Sequence, residues 1–379
     1  MSMDRITSIE TALVVGGGIG GMAAAASLAE RGVSVELIDL DPQWRVYGAG
    51  ITITGPTLRA YRRLGLLDQI KAEGAITNCS RVFRYDGTLV HDLEEPIIEE
   101  GLPATGGIMR PVLHRIMQGK VRSLDIPVRL GVTVTALENR DGGVDVVFSD
   151  GTTGRYDLVV GADSVFSRVR EIAFPHMAPA QPTGQGCWRI SMRKPPELKG
   201  GEFYFGHDNP AGITACSPDS IYMWMLTRHE ERETFMDEEE LFVTLKDLLK
   251  DFGGSPGWIR DNMTRDDWIN YRPLVAAMQP GPWFNGRIVL LGDAVHATTP
   301  HLASGAGMAV ESGIVLAEEL ARADDVTSGL RGYQDRRFER CRYVIESSVR
   351  MGQLQLDHAA PEEVTKVLES ALDCLNAPF

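Results

Sequence analysis

Gly16, Gly18 and Gly21 stand in the pattern G-x-G-x-x-G. Glycine at these places permits a tight turn and lets a pyrophosphate approach bare backbone, while the N–H groups and positive end of a following helix stabilise its charge. An acid about 20 residues further on would hold the ribose of the same nucleotide. Glu36 and Asp39 both satisfy the count. Asp39 is preferred, because it closes its strand at the carboxyl end, where ligands of such sheets bind. This much fits a nicotinamide or a flavin dinucleotide equally well. Far downstream, Gly292-Asp293 ends an apolar run and places a second carboxylate where a polyhydroxyl ligand can be hydrogen-bonded. Beyond it, Ala303 to Gly307 offers little side-chain bulk, so a planar ring can reach the backbone at the start of a helix.

These residues need particular elements to hold them. Thr11 to Val15 is a β-branched, apolar run suited to a buried parallel strand. Ile19 to Arg31 reads as a helix closed by Gly32, and Val33 to Asp39 as a second strand, giving a β-α-β unit. Residues 132–160 read as an antiparallel meander turning at Asp141-Gly142 and Asp150-Gly151, its last strand running from Tyr156 to Val160. Between Pro182 and Pro273 lies an aromatic, alternating block that predicts a separate sheet domain, with an acidic helix over 237–251. The strand 286–293, a helix over 305–323 and an Arg-rich helix over 332–356 follow. Arg336, Arg337, Arg340 and Arg342 read as a solvated face paired with Asp335 and Glu339.

Composition narrows the function. The chain has 379 residues, with 38 Lys and Arg against 52 Asp and Glu, a net charge of −14. That balance gives little basis for gripping nucleic acid. No stretch reaches the roughly 20 apolar residues of a membrane helix, and the N-terminus lacks an apolar signal core, so the cytoplasm is the expected location. Five scattered cysteines, without C-x-x-C, suggest neither a disulfide framework nor a metal site.

Together, the early G-x-G-x-x-G, a middle Asp163 motif and the late Gly292-Asp293 motif resemble the class A single-component FAD monooxygenases, the aromatic hydroxylases of 4-hydroxybenzoate, salicylate and 6-hydroxynicotinate. The resemblance spans nearly the whole chain. It implies an α/β fold: a Rossmann-like FAD-binding domain from 1–180 and 275–379, an inserted, mostly antiparallel β-sheet substrate domain over 181–274, and C-terminal helices. By match, Asp293 would bond the ribityl chain of FAD, Gly48 to Ile51, including Gly50, would lie against the flavin, and Arg110 near the cofactor. Asp163 would serve FAD and nicotinamide binding. Here Ser164 follows it in place of the family's glycine, and Pro300-His301-Leu302-Ala303-Ser304-Gly305 replaces P-x-x-G-Q-G.

The implied reaction is hydroxylation of a small aromatic or N-heteroaromatic compound, such as a phenolic acid or hydroxypyridine. NADH or NADPH would reduce FAD and dioxygen would form a flavin hydroperoxide. Trp188, Phe203, Phe205, Tyr222, Trp224 and Met225 are candidate pocket walls. His301, Tyr47, Arg189 and His207 are candidates to bind a substrate carboxylate or remove a phenolic proton. The rival readings are an FAD oxidoreductase of the same fold that does not activate oxygen, and a non-catalytic flavin-binding protein. Monomer and homodimer are equally open.

Overall fold

The computed structural model describes residues 4–46, 48–206, 208–229 and 236–379. A parallel sheet forms its base. Its strands run in the order Phe284–Asn285, Ile288–Leu290, Leu158–Gly161, Thr11–Val15, Ser34–Asp39, Val128–Leu130, and only the first pair is antiparallel. Val15 lies opposite Gly161, and Gly161 opposite Leu290. Three strands thus end side by side, which brings the loops at Gly16, Asp163 and Gly292 to one edge.

Helix Ile19–Ala29 packs its fully buried alanines against helix Gly305–Arg322. A Cβ at Gly313 would come within 2.6 Å of the Ala24 nitrogen, so the two helices cross at backbone distance. Helix Val326–Leu356 starts six residues before the expected position, because the Asp325 side chain caps it by accepting from Ser328 N–H. Helix Pro361–Asn376 follows. No helix among the described residues is long and apolar enough to cross a membrane.

The meander differs from expectation in its last strand. Val134–Arg140, Gly143–Phe148 and Thr153–Tyr156 form a three-stranded antiparallel sheet, but Leu158–Gly161 belongs to the parallel sheet. The switch occurs at Asp157, whose carboxylate accepts from the Glu10 and Thr11 N–H groups at 2.7 and 2.9 Å. The sequence change agrees with it: Thr153–Tyr156 is nowhere fully buried, whereas Leu-Val-Val-Gly is buried throughout, as a strand covered on both faces must be.

The second large sheet has eight strands, in the order His296–Ala297, Trp268–Met278, Gln181–Arg193, Ser220–Arg228, Ala211–Ala215, Gly201–Phe205, Cys79–Arg84, Leu89–Glu94. The last two come from residues 79–94, well before the 181–274 block. One face is covered by helices Glu238–Leu248 and Gly254–Asn262. There Trp188, Ile190, Met223 and Met225 pack on Phe242, Leu245 and Ile259. Asp237 and Glu240 form a reciprocal capping box at the start of the first of these helices. The opposite face turns toward the small sheet of Gly50–Thr54, Thr105–Met109 and Ala75–Thr77.

Candidate active site

Gly16 has φ +107°, and a Cβ there would lie 2.4 Å from the Ala162 carbonyl oxygen. Gly21 passes so close to Gly16 that a Cβ would overlap its oxygen at 1.8 Å. Both glycines are therefore required by packing. Gly18 is different: it is exposed, nothing lies within 4 Å of its Cβ position, and no side chain caps the helix it opens. Bare helix N–H groups facing open space are what a diphosphate needs.

Asp39 sits beside this loop. Its Oδ2 accepts from Gly17 N–H at 2.7 Å and its Oδ1 from Asp41 N–H at 2.8 Å. Glu36 instead bonds the Tyr156 hydroxyl. The Asp163 carboxylate works inside the fold: it accepts from the Ser167 hydroxyl and from Val169 N–H, at the start of helix Arg168–Ala173. Its backbone lies against Gly16.

Asp293 is exposed to solvent, in an open cleft whose protein atoms crowd its carboxylate. Burial raises its pKa, with His296 and Arg110 acting in the opposite direction. Among the described residues, none hydrogen-bonds its side chain. His296 is buried behind it, with Nε2 bonded to Ser312 Oγ at 2.9 Å and its pKa pushed down to about 4 by burial. Ser304, at the N-terminus of helix Gly305–Arg322, has a buried hydroxyl with no partner among the described residues.

The cleft's other wall comes from the eight-stranded sheet. On one face Arg189 pairs with Trp224 and Ser191 with Tyr222. Tyr222 and Trp224 meet Ala49 and Met109 of the small sheet, and a Cβ at Gly50 would strike Cys216 Sγ at 2.2 Å and Tyr222 Cβ at 2.6 Å. Gly50 is thus the point where the two halves touch. Arg110 donates its backbone N–H to Ala49 O at 3.1 Å and runs its side chain past Gly48. Burial lowers the Arg110 pKa, partly offset by Tyr222. Burial pushes the Tyr222 pKa up to about 12 although Arg189 and Arg110 both pull it down.

Of the expected wall residues, Tyr222, Trp224 and Phe203 face this side, with Phe203 and Trp224 rings 6.5 Å apart. Trp188 and Met225 belong to the helix-covered core, and Phe205 is exposed. His301 lies in the turn Pro300–Leu302. Its Nδ1 bonds Thr299 Oγ1 at 2.9 Å and its Nε2 bonds Gln355 Oε1 at 3.2 Å. Burial pushes its pKa down to about 4, so the ring is neutral at pH 7. Tyr47 and His207 lie outside the described residues.

Residues 10–348 match the family described as an FAD binding domain. The chain belongs to this family of FAD-dependent monooxygenases. The enzyme is 30% identical over 355 residues to 2-heptyl-3-hydroxy-4(1H)-quinolone synthase of Pseudomonas aeruginosa, covering 91% of this chain and 89% of that one. It is 29% identical to 6-hydroxynicotinate 3-monooxygenase of Pseudomonas fluorescens over 80% of each. Among solved structures, Klebsiella pneumoniae HpxO complexed with FAD and uric acid superimposes with a TM-score of 0.83 at 20% identity, over 97% of each chain, and so shares the fold.

The site fits FAD as cofactor. The open amides at Gly18 suit its diphosphate, the unpartnered Asp293 carboxylate suits a sugar-alcohol chain, and the orphaned Ser304 hydroxyl suits a polar ring edge. The sequence did not single out Trp44. Its indole Nε1 donates to Gly17 O at 2.9 Å, its ring meets His114 edge-on, and its φ is +49°, a left-handed value that few bulky residues adopt. Trp44 lies in an aperiodic stretch between strand and loop, where no pattern marks it.

Proposed function

We infer that the enzyme uses NADH or NADPH and dioxygen to hydroxylate a small aromatic or N-heteroaromatic ring that carries an acidic or hydroxyl group. The observation that carries this reading is that Arg189 stands opposite Trp224 and beside Tyr222 on the sheet face that meets Ala49 and Met109, next to Arg110, so that two guanidiniums converge on this seam. FAD, when bound, supplies hydride acceptance and oxygen activation. The chain's own residues do the rest. Gly16, Gly18 and Gly21 shape the diphosphate loop, Asp39 steadies it with lone pairs left for a ribose hydroxyl, and Asp293 takes the ribityl chain.

Arg189 and Arg110 favour an anion in the cleft, which lowers the pKa of a bound phenol or hydroxypyridine and makes its ring electron-rich. Tyr222 and Trp224 flank that ring and exclude water. His301 anchors the Pro300–Gly305 loop to the last long helix through Gln355. The names of the quinolone and hydroxynicotinate relatives, both acting on heteroaromatic rings, agree with this reading.

A panel of phenolic acids and hydroxypyridines tests it. Product formation should rise with NAD(P)H consumption for at least one of them. Arg189→Gln should raise KM for that substrate by about tenfold, the worth of a charge-assisted hydrogen bond. Reduction of FAD with no oxygenated product from any member would favour a plain oxidoreductase.

A further inference from the structure

Arg189 has a second neighbour on its sheet face. It pairs in register with Trp224 on one side and with Asn270 on the other. Directly opposed residues of antiparallel strands project from the same face, with Cβ atoms about 5 Å apart. The flanking residues fix which face that is. Trp188, Ile190 and Tyr271 belong to the core beneath helices Glu238–Leu248 and Gly254–Asn262, and Ile269 packs against it. Side chains alternate along a strand, so Arg189 and Asn270 both point to the opposite face, where Tyr222 and Trp224 meet Ala49 and Met109.

The fold leaves the polar capacity of this pair open. Arg189 has no ion-pair partner among the described residues, and the groups that act on it electrostatically, Cys187 and Tyr222, are not carboxylates. The Asn270 amide has no hydrogen-bond partner among the described residues. Both residues are half-buried, so a ligand on this face can reach them. Trp224 does not cover them. A Cβ on Gly212 would lie 2.5 Å from the indole ring, so that ring lies across the next strand, toward Phe203 and away from Arg189. The face is thus apolar on the Phe203–Trp224 side and polar on the Arg189–Asn270 side.

This pair is more selective than an arginine alone. A guanidinium only donates, so Arg189 can bind the oxygen of a phenol or of a pyridone. A carboxamide both donates and accepts, and its carbonyl is satisfied only by a ligand N–H or O–H. A ring whose carbonyl adjoins an N–H, a lactam, offers its oxygen to Arg189 and the Asn270 N–H, and its N–H to the Asn270 carbonyl. Asparagine pairs in this two-pronged way with the adjacent donor and acceptor of adenine. Building on the hydroxylase reading above, we propose that Asn270 determines specificity by recognising a ring N–H next to the oxygen held by Arg189. The preferred substrate is then an N-heteroaromatic lactam of the pyridone type, taken in preference to a phenol.

Calorimetric titration of the FAD-loaded enzyme, without NAD(P)H, tests this with 2-pyridone, N-methyl-2-pyridone and phenol, all uncharged at pH 7. 2-Pyridone should bind about tenfold more tightly than either of the others, which lack the ring N–H. Asn270→Leu, similar in size and at a half-buried position, should bring 2-pyridone down to the level of phenol and leave phenol unchanged. Equal binding of 2-pyridone and phenol, or a preference that survives Asn270→Leu, would overturn the role of Asn270 and leave the ring site standing. Binding of none of the three would remove the ring site and that role together.

Discussion

The Trp44 indole donates to the carbonyl oxygen of Gly17 at 2.9 Å, so close that a Cβ on Gly17 would lie 2.3 Å from the indole nitrogen. Asp39 holds the N–H of the same glycine. One peptide-length of the nucleotide loop is thus fixed from both sides, by an acid on strand Ser34–Asp39 and by an aromatic residue with strained backbone. Trp44→Phe keeps the ring and removes the hydrogen bond, worth about 1 kcal/mol. We predict roughly fivefold faster loss of FAD on dialysis, with secondary structure unchanged. Unaltered retention would show that the loop does not depend on Trp44.

Gly50→Ala places a methyl group against Cys216 and Tyr222. Overpacking of this kind costs about 1–3 kcal/mol. The expected result is a lower melting temperature and, because the sheet is pushed off the small sheet, more peroxide per NAD(P)H oxidised. A variant as stable and as well coupled as the parent would contradict the contact.

Glu311 is buried and bonded by Arg337 at 2.7 Å and Arg340 at 2.9 Å. Two cations hold its carboxyl below the usual range despite burial. Glu311→Gln leaves the fully buried Arg337 uncompensated, so we expect a loss of about 3–5 kcal/mol in denaturant unfolding. A shift under about 1 kcal/mol would mean that Arg337 is satisfied by Ser312 and Met308 alone.

Asp293 should show opposite effects on stability and on binding. Burial raises its folded-state pKa, so the native state holds the proton more tightly than the unfolded chain. Stability of the FAD-free protein therefore falls as pH rises from the unfolded carboxylate pKa through the higher folded value. Asp293→Asn should raise the melting temperature of the FAD-free protein at pH 7 and flatten that pH dependence. It should also weaken FAD by about tenfold or more, as a charge-assisted hydrogen bond of about 1.5–3 kcal/mol is lost. A drop in both quantities would refute the assignment of a carboxylate strained for binding.

Local pattern was enough to place the base of the fold. Strand Thr11–Val15, the alanine-rich helix and strand Ser34–Asp39 follow from apolar runs and a glycine stop. Contacts made across long sequence distances were hidden. Nothing in Cys79–Arg84 says that it pairs in parallel with Gly201–Phe205, because alternation sets a strand's faces and not its neighbour. The Arg-rich helix read as solvated, yet Arg337 is fully buried: its partner Glu311 lies on another helix, 26 residues away. Arg189 was legible as a residue type and gained its meaning only from register, opposite Trp224 and beside Tyr222.

Isotope tracing bears most directly on the proposed chemistry. The FAD-loaded enzyme, supplied with NAD(P)H, an aromatic substrate and oxygen-18 gas in ordinary water, should give hydroxylated product carrying one heavy oxygen. Product whose new oxygen comes from water, or substrate-stimulated NAD(P)H oxidation that yields peroxide alone across the whole substrate panel, would contradict it.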